Sequence, residues 1–365
     1  MISRHSKSQH ALAAPADRRP VTAHEVARLA GVSQSAVSRT YTEGASVSPD
    51  TREKVMLAAK QLGYRPNLVA RSLITGRSNI VGVTIPSLSN PFYSELLEAL
   101  AEGFGEIGYR IMLFTTNPDR NSDPVLEEVL RYRVDALVLV ASNLSSHFAD
   151  ECQQIGLPVV LLNRKTNSKM ASSVTGENKS GATQIAAFLA ASDHQRFAYI
   201  AGLENSSTNR DREKAFTDYL QEHGYATPIR VVGNYTAAGA VSATRELLNR
   251  KNRPDAIFCA NDQMALAAIN VARTEFNLAV GSQISVVGFD DSELAGWPIF
   301  GLTTYAQPVR LMVGRVVDIV KEALGDKGMA PVHETVKGRL VVRESARIPD
   351  KGISIIDGVK VWHQE

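Results

Sequence analysis

The chain has 365 residues, of which 44% are hydrophobic and 21% are charged. This composition excludes a disordered or collagen-like chain, and the length predicts two or three domains. No run reaches the roughly 18 apolar residues that a membrane span requires. The two cysteines, Cys152 and Cys259, exclude a disulfide framework and a four-cysteine zinc site, and they are typical of a reducing cytoplasm.

Charge is distributed unevenly along the chain. Residues 1–78 contain 12 Lys and Arg but 5 Asp and Glu, which gives +7, so the net charge of +2 leaves −5 on the remainder. A basic unit ahead of a larger acidic one predicts a polyanion-binding head on a body with another role. Residues 1–20 are predicted to be a disordered extension, because their apolar stretch is too short for a signal peptide.

Residues 21–66 contain three short helical patterns and predict an all-α helix-turn-helix domain. Thr22 and Glu25 form a capping-box pattern, and Gly31 stands where the first helix must end with a positive φ. The second helix is predicted over Gln34–Tyr41. A third begins at Ser48–Pro49, with Leu57 on its apolar face.

The second helix is expected to enter the major groove of DNA. Its exposed positions are Gln34, Ser35, Ser38 and Arg39. Glutamine can bond bidentately to adenine and arginine to guanine, whereas serine serves base or phosphate. A three-helix packing module with a polar surface is the alternative. Residues 67–78 are predicted to form a hinge helix and linker, which is too short to be stable alone and folds on a partner.

The segment VTAHEVARLAGVSQSAVSRTYTEGASVSPDTREKVMLAAKQLGYRPNLVARSLITGRS, residues 21–78, resembles the DNA-binding head and hinge of the LacI/GalR family of bacterial repressors. The resemblance implies that Gln34, Ser35 and Arg39 read bases, and that Leu73 intercalates in the minor groove near Asn67 and Ala70. Thr22, Ser33 and Ser38 complete the predicted DNA-binding set. Two departures are Ala36, where the family often has Thr, and Thr40-Tyr41-Thr42, where Val-Leu-Asn is commoner.

From Asn79 onward, strand-length apolar runs alternate with helical patterns, which predicts parallel sheets covered on both faces. There are too many units for one sheet, so two lobes with a ligand cleft at the carboxyl ends of the strands are expected. The predicted strands are Ile80–Ile85, Ile111–Thr115, Ala136–Val140, Val159–Leu162, Phe197–Ala201, Ile257–Cys259 and Ile284–Phe289.

The phrases NIVGVTIPSLSNPFYSELLEAL, PVVLLNR, AIFCANDQMALAAI and ISVVGFDD resemble the effector domain of the same family, which is akin to periplasmic sugar-binding proteins. The resemblance implies a small helix-turn-helix head plus a two-lobed α/β effector-binding and dimerisation domain, residues 79–349. Lobe one would comprise about 79–178 and 308–337, and lobe two 179–307 and 338–349. Residues 350–365 are left as a C-terminal tail.

Polar side chains at the ends of the predicted strands are candidate effector ligands. Arg212 resembles the family's arginine that grips sugar hydroxyls or a carboxylate; a surface salt bridge is the alternative. Asp290 and Asn261 can bind hydroxyls, or cap helices. The further candidates are Asn163, the aromatic residues Phe92 and Tyr235, which can stack on a sugar or pack in the core, and Gln307 and Trp297.

The sequence contains no HExxH, P-loop or GxSxG motif and no GxGxxG motif of the nucleotide-binding kind. Asp290 and Asp291 are neighbours on a strand end and are expected to point apart. We therefore predict no catalytic residue, metal or cofactor, and a protein that is not an enzyme.

Taken together, these observations predict a cytoplasmic, nucleoid-associated transcription regulator, and we expect it to act as a repressor. It would bind a palindromic double-stranded operator as a homodimer and respond to a small-molecule effector, a sugar or sugar derivative. The family resemblance implies that tetrameric members carry a C-terminal coiled coil, and because the tail lacks leucine heptads a dimer is expected. The tail could instead add a strand or pack Trp362 on a lobe. The alternatives are a solute receptor, or a regulator that answers to a nucleobase, a small acid or a partner protein.

Overall fold

The computed structural model describes residues 19, 21–42, 44–66, 76–116, 123–141, 148, 151–152, 154–165, 171–326 and 328–364. The chain divides into two compact units, residues 1–76 and 77–365. The predictions for residues 1–18 and for Asn67, Ala70 and Leu73 lie outside the described residues.

The described part of the first unit contains helices α1 (Ala23–Ala30), α2 (Gln34–Thr40) and α3 (Pro49–Leu62). The capping box begins α1, with the Thr22 N–H donating to Glu25 Oε2 at 2.8 Å. Val26, Val37 and Val55, one from each helix, are completely buried together. The placement of Leu57 on the buried face of α3 was wrong, because its side chain is 56% exposed.

The second unit is an α/β structure with these elements. Its helices are α4 (Pro91–Glu106), α5 (Asp123–Arg131), α6 (Asn178–Ala191), α7 (Ser207–Glu222), α8 (Ala237–Leu248), α9 (Asp262–Thr274) and α10 (Val309–Gly325). Its strands are β1 (Ile80–Ile85), β2 (Arg110–Thr115), β3 (Ala136–Val140), β4 (Val159–Leu162), β5 (Ser172–Gly176), β6 (Phe197–Ala201), β7 (Ile229–Val232), β8 (Ala256–Cys259), β9 (Ser285–Asp290), β10 (Thr303–Ala306), β11 (His333–Val336), β12 (Arg339–Val341), β13 (Ile353–Ile356) and β14 (Val359–Trp362).

Within the described ranges, six strands form the first sheet in the order β11-β5-β4-β3-β1-β2, with every pair parallel. The side chains of β3 explain its central place in the sheet. Ala136, Val138 and Val140 pack in one core cluster, and Leu137 and Leu139 pack in another. A strand with apolar side chains on both faces must be covered on both. We call this sheet and its helices α4, α5 and α10 the first lobe.

The second sheet has the order β13-β14-β12-β10-β9-β8-β6-β7 within the described residues. Its strands β6 to β10 pair in parallel, whereas β12, β14 and β13 extend it in antiparallel fashion. With helices α6 to α9 it forms the second lobe. The expected tail thus contains a hairpin of this sheet, which confirms the alternative that it adds a strand. The Trp362 ring packs edge-on against Phe188 at 5.8 Å, as that alternative also predicted.

The chain passes between the lobes after β5, after β10 and between β11 and β12. Three connecting segments act as a hinge that limits the relative motion of the lobes. Among the described residues, no helix is both long and apolar enough to cross a membrane.

The two tryptophans offer a matched test of the hairpin. Trp362 is 4% exposed and its Nε1–H donates to the Lys351 carbonyl at 3.1 Å, whereas Trp297 is 49% exposed. Trp362→Ala is expected to reduce the free energy of unfolding of the second unit by about 3–5 kcal/mol, because it leaves a large cavity. Trp297→Ala should cost less than about 1 kcal/mol. Urea unfolding followed by circular dichroism measures both; equal losses would contradict the structural role of the hairpin.

Candidate functional site

Helix α2 presents a polar surface on a rigid support. Gln34, Ser35, Ser38 and Arg39 are exposed, while Val37 is completely buried on the opposite face. Ser33 is the N-cap, and its Oγ accepts from the Ala36 N–H at 3.2 Å. The exposed side chains therefore project from a helix that is fixed at its start and along its inner face, as base-reading requires.

The residues that depart from the family pattern pack in the first unit. The Thr40 hydroxyl donates to the Ala36 carbonyl at 2.8 Å, and Arg52 Nη1 donates to the Thr40 carbonyl at 3.0 Å. The Tyr41 and Tyr64 rings lie 5.9 Å apart. These contacts hold the end of α2 against α3 and the segment that follows it.

A cleft lies between the two lobes, at the carboxyl ends of their parallel strands. About 290 Å³ inside it is not filled by atoms, and part of that space is open to solvent. The lining residues follow β1, β3 and β4 in the first lobe and β6, β7 and β8 in the second, where Asp290 is also the last residue of β9. They are Asn90, Phe92, Tyr93, Ala141, Asn163, Arg164, Thr208, Arg212, Tyr235, Asn261 and Asp290.

Six of the predicted effector residues line this cleft: Phe92, Asn163, Arg212, Tyr235, Asn261 and Asp290. Two predicted residues do not. Gln307 lies behind the lining and donates from Nε2 to Asp290 Oδ1 at 2.7 Å, so it positions a carboxylate. Trp297 is half exposed in the segment after β9.

Arg212 lies in the second turn of α7 and not at its start, and it is 2% exposed. Its Nε–H donates to Asn178 Oδ1 at 2.8 Å, and its Nη1 donates to the Ala260 carbonyl. The guanidinium lies over the Phe289 ring at 3.6 Å. Its Nη2 has no hydrogen-bond partner among the described residues. The side chain is fixed on three sides and lines the cleft with one guanidinium nitrogen unpaired among the described residues.

Asp290 faces Arg212, with Oδ1 3.9 Å from Arg212 Nη1. Burial raises the pKa of the Asp290 carboxyl well above its usual value, and the Arg212 charge opposes that rise. Asn261 both caps α9, with Oδ1 accepting from the Met264 N–H at 3.1 Å, and lines the cleft. Asn261 therefore caps the helix and lines the cleft at the same time.

Sequence reasoning did not select Arg164, Tyr93 or Thr208. Arg164 directly follows Asn163 at the end of β4 and is 5% exposed. Its Nη2 donates to the Ala141 carbonyl at 2.5 Å, while Nε and Nη1 have no partner among the described residues. Its place immediately after a buried strand was the available signal. Across the described chain, no group of three His, Cys, Asp or Glu side chains could hold a metal.

The cleft is built on unusual backbone conformations. Ala141, Asn163, Tyr235 and Asp290 have φ values of 49°, 58°, 57° and 135°. Non-glycine residues rarely adopt positive φ, and such strain concentrates at functional sites. The Tyr235 ring also lies so close to Gly202 that a Cβ there would be 2.2 Å from Cζ. Glycine is thus required for Tyr235 to reach the cleft.

Polar contacts bridge the lobes beside the cleft. Lys165 Nζ pairs with Asp211 Oδ2 at 2.6 Å, and the Lys165 N–H donates to Ser207 Oγ at 3.2 Å. Gln263 Nε2 also donates to the Ser89 carbonyl at 3.4 Å. The lobes are therefore in a closed arrangement that side-chain contacts stabilise.

Removing the bridging charge should favour opening. Lys165→Ala is expected to raise the ratio of open to closed lobes by up to about fivefold, because partly exposed ion pairs contribute about 0–1 kcal/mol. Lys214→Ala is the matched control, since its 2.7 Å pair with Asp218 stays within α7. Single-molecule energy transfer between dyes on cysteines introduced into each lobe measures the ratio, because the native cysteines are buried. An unchanged ratio in Lys165→Ala would exclude a closing role for the pair.

Both units of this chain are similar to known protein families. The profile of bacterial regulatory proteins of the lacI family matches residues 22–67, and that of the periplasmic binding protein-like domain matches residues 186–346. Catabolite control protein A of Priestia megaterium is 33% identical over 299 residues, covering 79% of this chain and 88% of that protein.

Two solved structures are similar over nearly the whole chain. The lac repressor dimer bound to operator and the anti-inducer ONPF has a TM-score of 0.81 at 29% identity, covering 90% of this chain and 100% of that one. A complex of the transcriptional regulator CelR with cellobiose has a TM-score of 0.68 at 29% identity, with the same coverage. This chain belongs to the lacI family of bacterial regulatory proteins, which are transcription regulators and not enzymes.

Proposed function

We propose that this protein is a repressor that binds a palindromic operator as a homodimer in the bacterial cytoplasm, and that a sugar or sugar derivative in the cleft controls it. The observation that carries the DNA-binding part is the exposed face of α2, with Gln34, Ser35, Ser38 and Arg39 opposite the buried Val37. A dimer would place two such helices on the half-sites of one operator. The similarity to the operator-bound lac repressor dimer supports this arrangement.

The cleft supports the effector part of the proposal. Asn163, Asn261 and Thr208 supply side chains that donate and accept hydrogen bonds, which suits a polyhydroxylated ligand. Tyr235 supplies an aromatic face. The cellobiose complex of the similar regulator CelR supports a sugar as the effector. Because the effector contacts both lobes, its binding would change their closure, and through residues 67–78 would act on the DNA-binding unit.

Selection of DNA sites in vitro tests the proposal. The full-length protein, at one fixed near-physiological salt concentration, is expected to enrich a short palindrome. The selection is run with and without a sugar panel, because an effector could be needed for binding. No enriched sequence under either condition would contradict sequence-specific binding.

Arg39→Ala should relax base preference at one position of each half-site and cost about 1–3 kcal/mol in operator affinity, because a base contact is lost. Arg28→Ala is the matched control: Arg28 is also exposed but lies on α1, so the selected sequence should not change. Repeating the selection with both variants measures this. An unchanged preference in Arg39→Ala would remove Arg39 from the reading set.

Leu73→Ala tests the hinge. If Leu73 wedges between base pairs, its removal should weaken operator binding at least tenfold while leaving non-specific binding within about twofold, since only the specific complex is kinked. Fluorescence anisotropy with operator and scrambled duplexes measures both affinities. Equal losses on the two duplexes would count against intercalation.

A further inference from the structure

We propose that the effector carries an anionic group, a carboxylate or a phosphate, and that this group binds between Arg164 of the first lobe and Arg212 of the second. The inference rests on the proposed function and names the chemical class of its effector. It makes the ligand a sugar acid or a sugar phosphate, where the hydroxyl-binding residues alone would accept a neutral sugar.

The first support is the state of the two guanidinium groups. Arg164 is 5% exposed and Arg212 is 2% exposed, and both line the same small cleft. Between them, Arg164 Nε, Arg164 Nη1 and Arg212 Nη2 are buried nitrogens without a hydrogen-bond partner among the described residues. A buried donor without a partner costs free energy, and the cost is larger when the group is charged. An acceptor that enters the cleft would relieve it.

The second support is the charge balance of the cleft. Its lining contains two arginines but one carboxylate, Asp290, which faces Arg212 and accepts from Gln307. No carboxylate among the described residues lies within ion-pair distance of Arg164. Burial lowers the pKa of the Arg164 guanidinium, the phenols of Tyr235 and Tyr93 raise it, and the charges of Arg210 and Arg212 lower it further.

The third support is that an anionic acceptor suits the unpaired guanidinium nitrogens better than a neutral one. A sugar hydroxyl can accept one of the free N–H groups, but it leaves the buried positive charge uncompensated. A carboxylate or phosphate supplies several acceptor oxygens and a negative charge, and such charge-assisted bonds are about twice as strong as neutral ones. Asn163 and Asn261 remain available for the hydroxyls of the same ligand.

The test uses the full-length protein and matched ligands. Isothermal titration compares each aldohexose with its uronate and its 6-phosphate, so that the carboxylate and phosphate arms distinguish the two sources of the anion. We expect at least one anionic ligand to bind at least tenfold more tightly than its neutral parent. Arg164→Gln should then weaken binding of that ligand at least tenfold and binding of the parent less than threefold.

Two variants serve as controls. Arg164→Lys keeps the charge and should retain part of the preference for the anion. Arg210→Gln removes an exposed arginine in the same region, and the preference should persist. Without ligand, Arg164→Gln should melt at the same temperature as the parent protein or higher, because it removes an unpaired buried charge. A structural role for Arg164 would instead lower that temperature.

The outcomes separate the two proposals. If a neutral sugar binds as tightly as its uronate and 6-phosphate, and Arg164→Gln weakens all three equally, the anion inference is wrong while the sugar effector stands. If no member of the panel binds although the operator is still recognised, both the sugar effector and the anionic class are wrong.

Discussion

Parallel strands end at the same edge of their sheet, and this geometric constraint determines where the chemistry of the second unit lies. Two parallel sheets, joined by three chain crossings, bring the carboxyl ends of seven strands to one cleft. The positive φ values at Ala141, Tyr235 and Asp290 are a consequence, because the chain must turn sharply at a strand end to place each side chain. The packed cores on both faces of each sheet stabilise the fold enough to offset the free-energy cost of this backbone strain.

The cleft also contains an unbalanced set of buried charges. Arg164, Arg212 and Asp290 are almost completely buried, yet their charges do not balance within the protein. A site of this kind favours a ligand that completes the balance while contacting both lobes. Such a ligand would stabilise the closed arrangement selectively, and only this differential affinity can shift a conformational equilibrium. The charge of the cleft and the closure of the lobes are therefore two aspects of the same proposed switch.

Periodicity and capping residues predicted the first unit's three helices and seven of the fourteen described strands, and the reasons for the failures are physical. Strands rich in Val, Ile and Leu, such as β3, were found at their observed bounds, whereas β5 (SSVTG) and α8 (AAGAVSATRELL) went unrecognised because small and polar residues give weak patterns. The β13–β14 hairpin depends on pairing with a distant strand. At the cleft, strand-end position identified Asp290, and the family resemblance identified Arg212. The significance of Arg164 depends on its burial without a carboxylate, which requires three-dimensional coordinates.

The central claim is that the occupied cleft and the operator-binding surface influence each other. Thermodynamic linkage then requires the effector to have different affinities for the free protein and for the operator complex. The most direct test is to titrate the effector into both species under identical salt conditions. The account predicts dissociation constants that differ by at least about fivefold, the lower end of typical allosteric coupling. Equal constants would show that the cleft binds its ligand without controlling DNA binding, and would contradict the account.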